Sequence, residues 1–389
     1  MNDIDPLFVG LMSGTSVDAI DSALVRCRDK KVDIIATHQH PIPLETKKQI
    51  ATISHSGPDE IERMGVLDRK LGLLFAEATL QLLAAAKTLP IQVKAIGSHG
   101  QTIRHRPPSV ATCSAESFSL QIGDPNTIAE NTGITTVADF RSRDIAAGGQ
   151  GAPLAPAFHA AAFAKPGIHR AIINIGGIAN ASLLEGTELL MGFDTGPGNT
   201  LLDHWISRCR GESFDRDGHW SATGQIDQEL LAMLLMHPYF NQTGPRSTGK
   251  EDFNLAWLDN CLAEFDSHLT PVNVQATLVE LTSTSIARAI RNSPLDIAEI
   301  YICGGGSHNL HLMQRLTEIL APATVASTSA IGMDPDWVEA ATFAWLASRT
   351  LDGLAGNSPA VTGASGARVL GGIYPAVGMQ ILKSLDGEG

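Results

Sequence analysis

Gly10-Leu11-Met12-Ser13-Gly14-Thr15-Ser16-Val17-Asp18-Ala19-Ile20-Asp21 links two runs of strand character, Leu7 to Met12 and Ala19 to Arg26. Its small residues permit a tight hairpin whose N–H groups and hydroxyls can face an anionic oxygen at close range, and Asp18 or Asp21 could hold a metal ion or its water. Taken alone, the segment reads more readily as an ordinary hairpin. The G-x-x-x-x-G-K-[ST] spacing and its lysine are absent, which excludes a P-loop. Two other glycine turns give it meaning. Asn174-Ile175-Gly176-Gly177-Ile178-Ala179-Asn180 follows another strand-like run, and Cys303-Gly304-Gly305-Gly306-Ser307 stands between a strand and a helix, where unpaired N–H groups can meet a nucleotide.

Outward from the first turn, Val32 to His38 gives a third strand-like run, and Pro58 to Lys87 reads as a covering helix. Its Ile61, Met64, Leu67, Leu71, Leu74, Ala78 and Leu82 recur every three or four residues. Ala95 to Ser98, Ser119 to Ile122 and Thr135 to Ala138 are further short strands, Pro153 to Ala164 a helix, and Pro166-Gly167 a breaker suited to a boundary. A second cycle then opens with strands at Ala171 to Ile175, Ala179 to Leu184 and Leu189 to Phe193. Helices follow at Asn199 to Cys209, Gln228 to Met236 and Val274 to Asn292, a strand at Glu299 to Cys303, and helices at His308 to Leu320 and Trp337 to Leu351. The architecture repeats although the sequence does not. The expectation is an α/β chain with an N-terminal lobe over 1–166, part of 355–389 being a candidate addition to it, and a C-terminal lobe over 167–354.

Length and composition agree with two sizeable cores. The 389 residues correspond to about two domains at the usual ~100–200 residues each. Hydrophobic residues are 43% and charged ones 18%, which excludes bulk disorder. The formal charge of −13 disfavours a general affinity for nucleic acid or anionic membrane, since a phosphate backbone must be met by clustered cations. The 5 cysteines contain no C-x-x-C pair, so neither a disulfide scaffold nor a zinc ribbon fits. With no basic n-region before Leu7 and no apolar run of ~20 residues, a cytoplasmic protein is expected.

Four segments carry candidate chemistry. Gly192-Phe193-Asp194-Thr195-Gly196-Pro197-Gly198-Asn199 puts an acid at a strand end, where Asp194 suits a general base or caps the helix beginning near Asn199. Ser98-His99-Gly100-Gln101-Thr102-Ile103-Arg104-His105 is dense in donors; Gln101 and Thr102 are preferred for hydrogen bonding a ligand, with His99 equally a structural residue. The His99 and His105 spacing is wrong for a helical metal pair. Asp139-Phe140-Arg141-Ser142-Arg143-Asp144 offers guanidinium groups for a carboxylate, or salt bridges to its own aspartates. Phe214-Asp215-Arg216-Asp217-Gly218 either braces a cleft or caps a loop.

Together these stretches resemble the actin, hexokinase and heat-shock ATPase superfamily, and more closely the anhydro-N-acetylmuramic acid kinases. GLMSGTSVDAID, AIGSHGQTIRH, LQIGDPNTIAE, VADFRSRDIAAGGQGAPLAPAFH, NIGGIANASLL, GFDTGPGN, FDRDG, CGGGSHN and WVEAATFAWLA carry the resemblance from residue 10 to residue 347. Ala19 departs from the family's usual glycine, and the loop after His105 looks longer than usual. The resemblance implies a two-lobed actin-like, ribonuclease H-like fold with a duplicated mixed-sheet core and an interlobe cleft. It implies ATP and Mg²⁺ as cofactors, Asp194 as the catalytic base, and a homodimer. Nucleotide phosphates would meet Gly14, Thr15, Ser16, Val17, Asp18, Ala19, Ile20 and Asp21, then Gly176 and Gly177, and Gly304, Gly305 and Gly306. The sugar would meet Gln101, Thr102, Arg143 and Glu339. The implied reaction is hydrolytic opening of the 1,6-anhydro ring with phosphorylation of O6, in cell-wall recycling. The alternatives are an actin-like ATPase without a sugar substrate, against which the HGQT and FRSRD segments argue, and a related transferase holding iron or zinc through histidines.

Overall fold

The computed structural model describes residues 5–14, 17–28, 31–242, 248–249, 252–265 and 269–376. Its strands are β1 (Leu7–Ser13), β2 (Ala19–Arg28), β3 (Lys31–Pro41), β4 (Val93–Arg106), β5 (Phe118–Ile122), β6 (Thr136–Ala138), β7 (His169–Ile175), β8 (Ile178–Glu185), β9 (Glu188–Pro197), β10 (Glu299–Cys303), β11 (Thr324–Ser327) and β12 (Gly372–Tyr374). Its helices are α1 (Leu44–Ile53), α2 (Glu60–Ala85), α3 (Pro125–Thr132), α4 (Ser142–Ala146), α5 (Ala155–Phe163), α6 (Thr200–Arg210), α7 (Gln228–Leu234), α8 (Leu255–Glu264), α9 (Pro271–Arg291), α10 (Leu310–Leu320), α11 (Val338–Leu351) and α12 (Pro359–Thr362). Among the described residues no helix is long and apolar enough to cross a membrane.

The chain divides into two compact units. One takes residues up to Phe158 and from Glu339 onward, the other runs from His159 to Val338. In the first, the sheet order is β12-β6-β4-β1-β2-β3, with β5 added to the far end of β4. β1, β2 and β3 are antiparallel neighbours, while β4 lies parallel to β1 and β6 parallel to β4. The second unit repeats the plan: β7, β8 and β9 form an antiparallel meander, then β10 lies parallel to β7 and β11 to β10, in the order β11-β10-β7-β8-β9. Two mixed sheets of one strand order and direction make the duplicated α/β core of the actin-like, ribonuclease H-like class. The sequence cycles reveal it as two successive three-strand runs.

Each sheet is covered by helices whose sequences explain the fit. On α2, Leu67, Leu71, Phe75, Ala78 and Leu82 are buried against Val9, Leu11, Ile20 and Leu24 of the sheet. Ile61, counted in the apolar stripe from sequence, is instead 79% exposed near the helix start. α3 begins at Pro125 with Asp124 accepting bonds from the amides of Asn126 and Thr127, both 3.0 Å, and ends at Gly133, whose φ is 69°. In the second unit α9 is buried nearly all round, from Val274 to Ile290, and forms the centre of that core with Ile173, Leu183, Phe193 and Leu201.

The unit boundary differs from the expected one. The helix Trp337 to Leu351, assigned from sequence to the C-terminal lobe, is α11, which packs on β1 and β4 of the first unit. Gly10 and Gly97 are register neighbours on those strands. A Cβ on Gly10 would collide with the carbonyl oxygen of Ala340, and one on Gly97 with that of Phe343. Paired glycines therefore let the helix backbone rest directly on the sheet.

Candidate active site

Asp194 lies within β9, not at its end. A bulge in β9, facing Ala179 and Asn180 of β8, sets Asp194 opposite Asn180 and leaves Thr195 as the extra residue. Phe193 on one side enters the core, and Thr195 on the other is fully buried, donating to the carbonyl of Ala179 at 3.2 Å. Asp194 itself is half-buried. Its carbonyl accepts the Tyr239 hydroxyl at 2.6 Å, and its Oδ2 accepts the backbone N–H of Thr248 at 3.0 Å. The carboxylate expected from sequence to stand free is thus already held by a backbone donor. The capping alternative does not describe the start of α6: the cap there is Asn199, whose side chain donates to the Ile175 carbonyl at 3.2 Å.

The second and third glycine turns come together. Amides of Gly198 and Thr200 donate to the Gly177 carbonyl at 2.9 and 3.1 Å, and that of Asn199 to Gly176 at 2.8 Å, clamping the β7–β8 turn to the start of α6. Gly304, with φ 77°, has no room for a side chain against Asn174, and Gly306 none against Ile175. Gly305 and Gly176 differ. A Cβ on Gly305 would find nothing closer than Asn199 Nδ2 at 3.6 Å, and one on Gly176 only the Ile178 carbonyl at 3.7 Å. The chain's own packing does not require glycine at these two positions. A surface of bare backbone kept open beside Asn199 suits a ligand lying against it.

In the first unit, Thr15 and Ser16 lie outside the described residues. Around them Val17 donates its N–H to the Gly14 carbonyl at 3.1 Å, and Val17 holds φ 58°, an uncommon conformation for a β-branched residue. A Cβ on Gly14 would meet nothing within 4 Å. Asp18 is 76% exposed, with Lys47 Nζ 3.4 Å from its Oδ1. The remaining members of this set belong to β2. The Ile20 side chain is core, so only its backbone remains a candidate contact. Asp21 accepts from Gln39 Nε2 across the strand pair at 3.0 Å. Ala19 starts β2 without a positive φ, so alanine is accommodated there without strain.

The donor-rich strand is longer than expected because β4 continues to Arg106 and pairs with β5. Gln101 is buried, accepting Ser13 Oγ at 2.6 Å and donating to the Thr102 carbonyl at 3.2 Å, which ties the end of β1 to β4. Thr102 Oγ1 accepts from Gln121 at 3.1 Å. Arg143 is exposed on α4. The anchored guanidinium is Arg141, which sequence reasoning placed in the segment but did not select. It donates to His99 Nε2 at 2.9 and 3.2 Å and to the Gly151 carbonyl at 2.8 Å. Burial pushes its pKa down to about 10, opposed by the charges of Glu339 and Asp144. His99 stacks near Phe343, centroids 4.7 Å apart, with Nδ1 2.9 Å from the Gly100 carbonyl. Nδ1 therefore carries the hydrogen and Nε2 accepts from Arg141.

Two motifs left open by sequence are knots of backbone. Asp144 is fully buried, accepting from the Gly151 amide, Asn357 Nδ2 and Thr362 Oγ1 at 2.8, 2.6 and 2.7 Å, which fastens the Gly-Gly-Gln-Gly loop to the segment after α11. Asp215 accepts the amides of Trp220 and Ser221, both at 2.8 Å, and so caps its loop.

Residues 6–376 match the sequence model of the family described as anhydro-N-acetylmuramic acid kinase. The chain belongs to that family. Among curated anhydro-N-acetylmuramic acid kinases it is 52% identical to that of Shewanella sp. (strain MR-4) over 95% of this chain and 98% of the relative. It is 49% identical to that of Pseudomonas savastanoi pv. phaseolicola over 96% of this chain and 100% of the relative. Among solved structures it has some likeness to the Acidaminococcus fermentans (R)-2-hydroxyglutaryl-CoA dehydratase component A, with TM-score 0.47 and 12% identity, covering 87% of this chain and 96% of that one. Membership of the anhydro-N-acetylmuramic acid kinase family accounts for the specific strings that glycine turns alone leave ambiguous.

Two buried histidines of this kinase-family chain give a pH prediction. Burial holds His99 well below the ordinary 6.5, reinforced by the charge of Arg141, and pushes His159 down to about 3. Between the folded and unfolded values the unfolded chain binds more protons, so stability rises with pH there and is lost as pH falls below about 6.5. The thermal midpoint should therefore drop steadily on acidification from about pH 7 to pH 5, above the ordinary carboxylate range. A flat profile over that interval would contradict the assignment.

Proposed function

We propose that this protein is an ATP-dependent anhydro-N-acetylmuramic acid kinase that works in cell-wall recycling. Water opens the 1,6-anhydro bridge, O6 receives the γ-phosphoryl group, and N-acetylmuramic acid 6-phosphate and ADP leave. The family match over residues 6–376, with about half of the residues identical to curated kinases across nearly the whole chain, carries this reading.

Asp194 is the base. As the water oxygen bonds to C1, its proton passes to the Asp194 carboxylate and the C1–O6 bond breaks. O6 then bonds to the γ-phosphorus as the bond to the β,γ-bridging oxygen breaks. Gln101, Thr102, Arg143 and Glu339 are proposed to hold the sugar, with Arg141 supplying a second guanidinium for the lactyl carboxylate. Gly14 to Asp21, Gly176, Gly177 and Gly304 to Gly306 are proposed to line the nucleotide phosphates with backbone. Mg²⁺ on the phosphates would offset their charge. It takes one or two carboxylates plus phosphate oxygens rather than a protein cage, and exposed Asp18, with Asp21 three residues on, offers that donor type.

Incubation with ATP, Mg²⁺ and anhydro-N-acetylmuramic acid, against glucose and N-acetylglucosamine controls, tests the reading. ADP release that depends on the anhydro-sugar supports it. Turnover indifferent to sugar would instead indicate a non-metabolic ATPase. The glycine cluster provides a finer check. Gly305→Ala adds a methyl where the chain leaves space, so it should keep the melting temperature and raise KM for ATP by about tenfold, a loss of ~1.4 kcal/mol. Gly306→Ala drives the methyl into Ile175 and should lower the melting temperature. Equal melting curves for the two variants would refute the distinction.

A further inference from the structure

Tyr239 and Thr248, both bonded to Asp194, are held by one aromatic cluster, the first as a member and the second through a short turn. Phe253 is fully buried, and its ring centroid lies 4.9 Å from His237, 5.8 Å from Tyr239, 5.5 Å from Phe240 and 5.4 Å from Trp257. Such rings are rigid, holding the segments that carry them with little rotamer freedom. Tyr239 sends its hydroxyl from this cluster to the Asp194 carbonyl at 2.6 Å. On the other side, the Gly249 carbonyl accepts amides of Asp252 and Phe253, both at 3.2 Å, and Thr248 Oγ1 donates to Asp252 Oδ2 at 2.7 Å. Thr248 is thereby tied to the anchored Phe253, and its N–H reaches Asp194 Oδ2 at 3.0 Å. Below them Gly196, with φ 145°, leaves Phe240 the room a Cβ would fill, 2.8 Å from the ring.

A carboxylate's last torsion is broad, so a strand alone does not fix the plane of its oxygens. A base aimed at a single water needs that plane fixed to within ~0.5 Å. We propose that Tyr239, Thr248 and Asp252 are positioning residues that set the orientation of the Asp194 carboxylate, Tyr239 through the backbone and Thr248, braced by Asp252, through Oδ2. This inference rests on Asp194 being the base.

The test compares kcat, KM for both substrates and melting temperature in Tyr239→Phe, Asp252→Asn, Thr248→Ala, Thr248→Ser and Thr248→Pro. Tyr239→Phe keeps the ring and deletes one hydrogen bond, so kcat should fall about three- to tenfold with both KM values unchanged. Asp252→Asn and Thr248→Ala should show the same split, with Thr248→Ser recovering most of the loss. Thr248→Pro removes the N–H and should cost more than about tenfold, because donors to a charged oxygen are the stronger ones. Lower melting temperatures with unchanged kcat in Tyr239→Phe and Asp252→Asn would overturn the proposal and make these contacts purely structural. Failure of the unmodified protein to turn over the anhydro-sugar would instead overturn the proposed function.

Discussion

Asp194→Asn is expected to retain nucleotide binding and to lose at least ~100-fold in kcat, the amount general-base catalysis ordinarily supplies. The amide matches the carboxylate in shape and can still accept the Thr248 N–H, so β9, its bulge and the Tyr239 contact should survive. What disappears is the capacity to take a proton from water at neutral pH. Nucleotide titration separates the two effects: an unchanged dissociation constant with lost turnover fits the role. Near-normal sugar-dependent ADP release would remove Asp194 from the mechanism.

Gly97→Ala should be strongly destabilising to the first unit. The new Cβ would meet the Phe343 carbonyl and the Ala347 Cβ, the former well inside contact distance, and the obstacle is helix backbone that no rotamer change can move. Overpacking usually costs ~1–3 kcal/mol, and a rigid neighbour places this site at or above the top of that range. For a unit of about 200 residues, ~3 kcal/mol corresponds to roughly 10 °C in the melting temperature. Gly10→Ala should behave alike, meeting the Ala340 carbonyl of the same helix. Gly65→Ala is the counter-case: its Cβ meets nothing within 4 Å on exposed α2, so it should gain ~0.5–1 kcal/mol from helix propensity. Equal melting temperatures for Gly97→Ala and Gly65→Ala would contradict the seating of α11.

These contrasts show what a sequence can and cannot disclose. The two meanders are legible because strand runs recur around glycine turns, and their ends fall within a few residues of the expected ones. β4 is underestimated because His99 to Arg106 is largely polar: past Gln101, its last partner on β1, it pairs only with β5, and apolar patterning fades there. α11 is recognised as a helix but given to the wrong unit, since an apolar face does not say which sheet it covers. Only the register that pairs Gly10 with Gly97 reveals that.

In the candidate site, the placement of Asp194 on a strand is legible from its motif, whereas its N–H donor is not, because Thr248 reaches it across a long stretch of chain. Arg141 and Arg143 illustrate the finest limit. Two residues apart, they are indistinguishable as charges, yet the chain turns into α4 between them, anchoring one against His99 and leaving the other exposed.

The paired glycines beneath α11 also bear on biosynthesis. The first unit's sheet is begun near the amino terminus, but α11 and β12, which cover and extend it, lie from residue 338 onward. The second unit, running from His159 to Val338, has every strand of its own sheet in hand as it leaves the ribosome. The part of the chain made first must therefore wait, half-dressed, for the part made last, and the later-made unit is the earlier one able to fold.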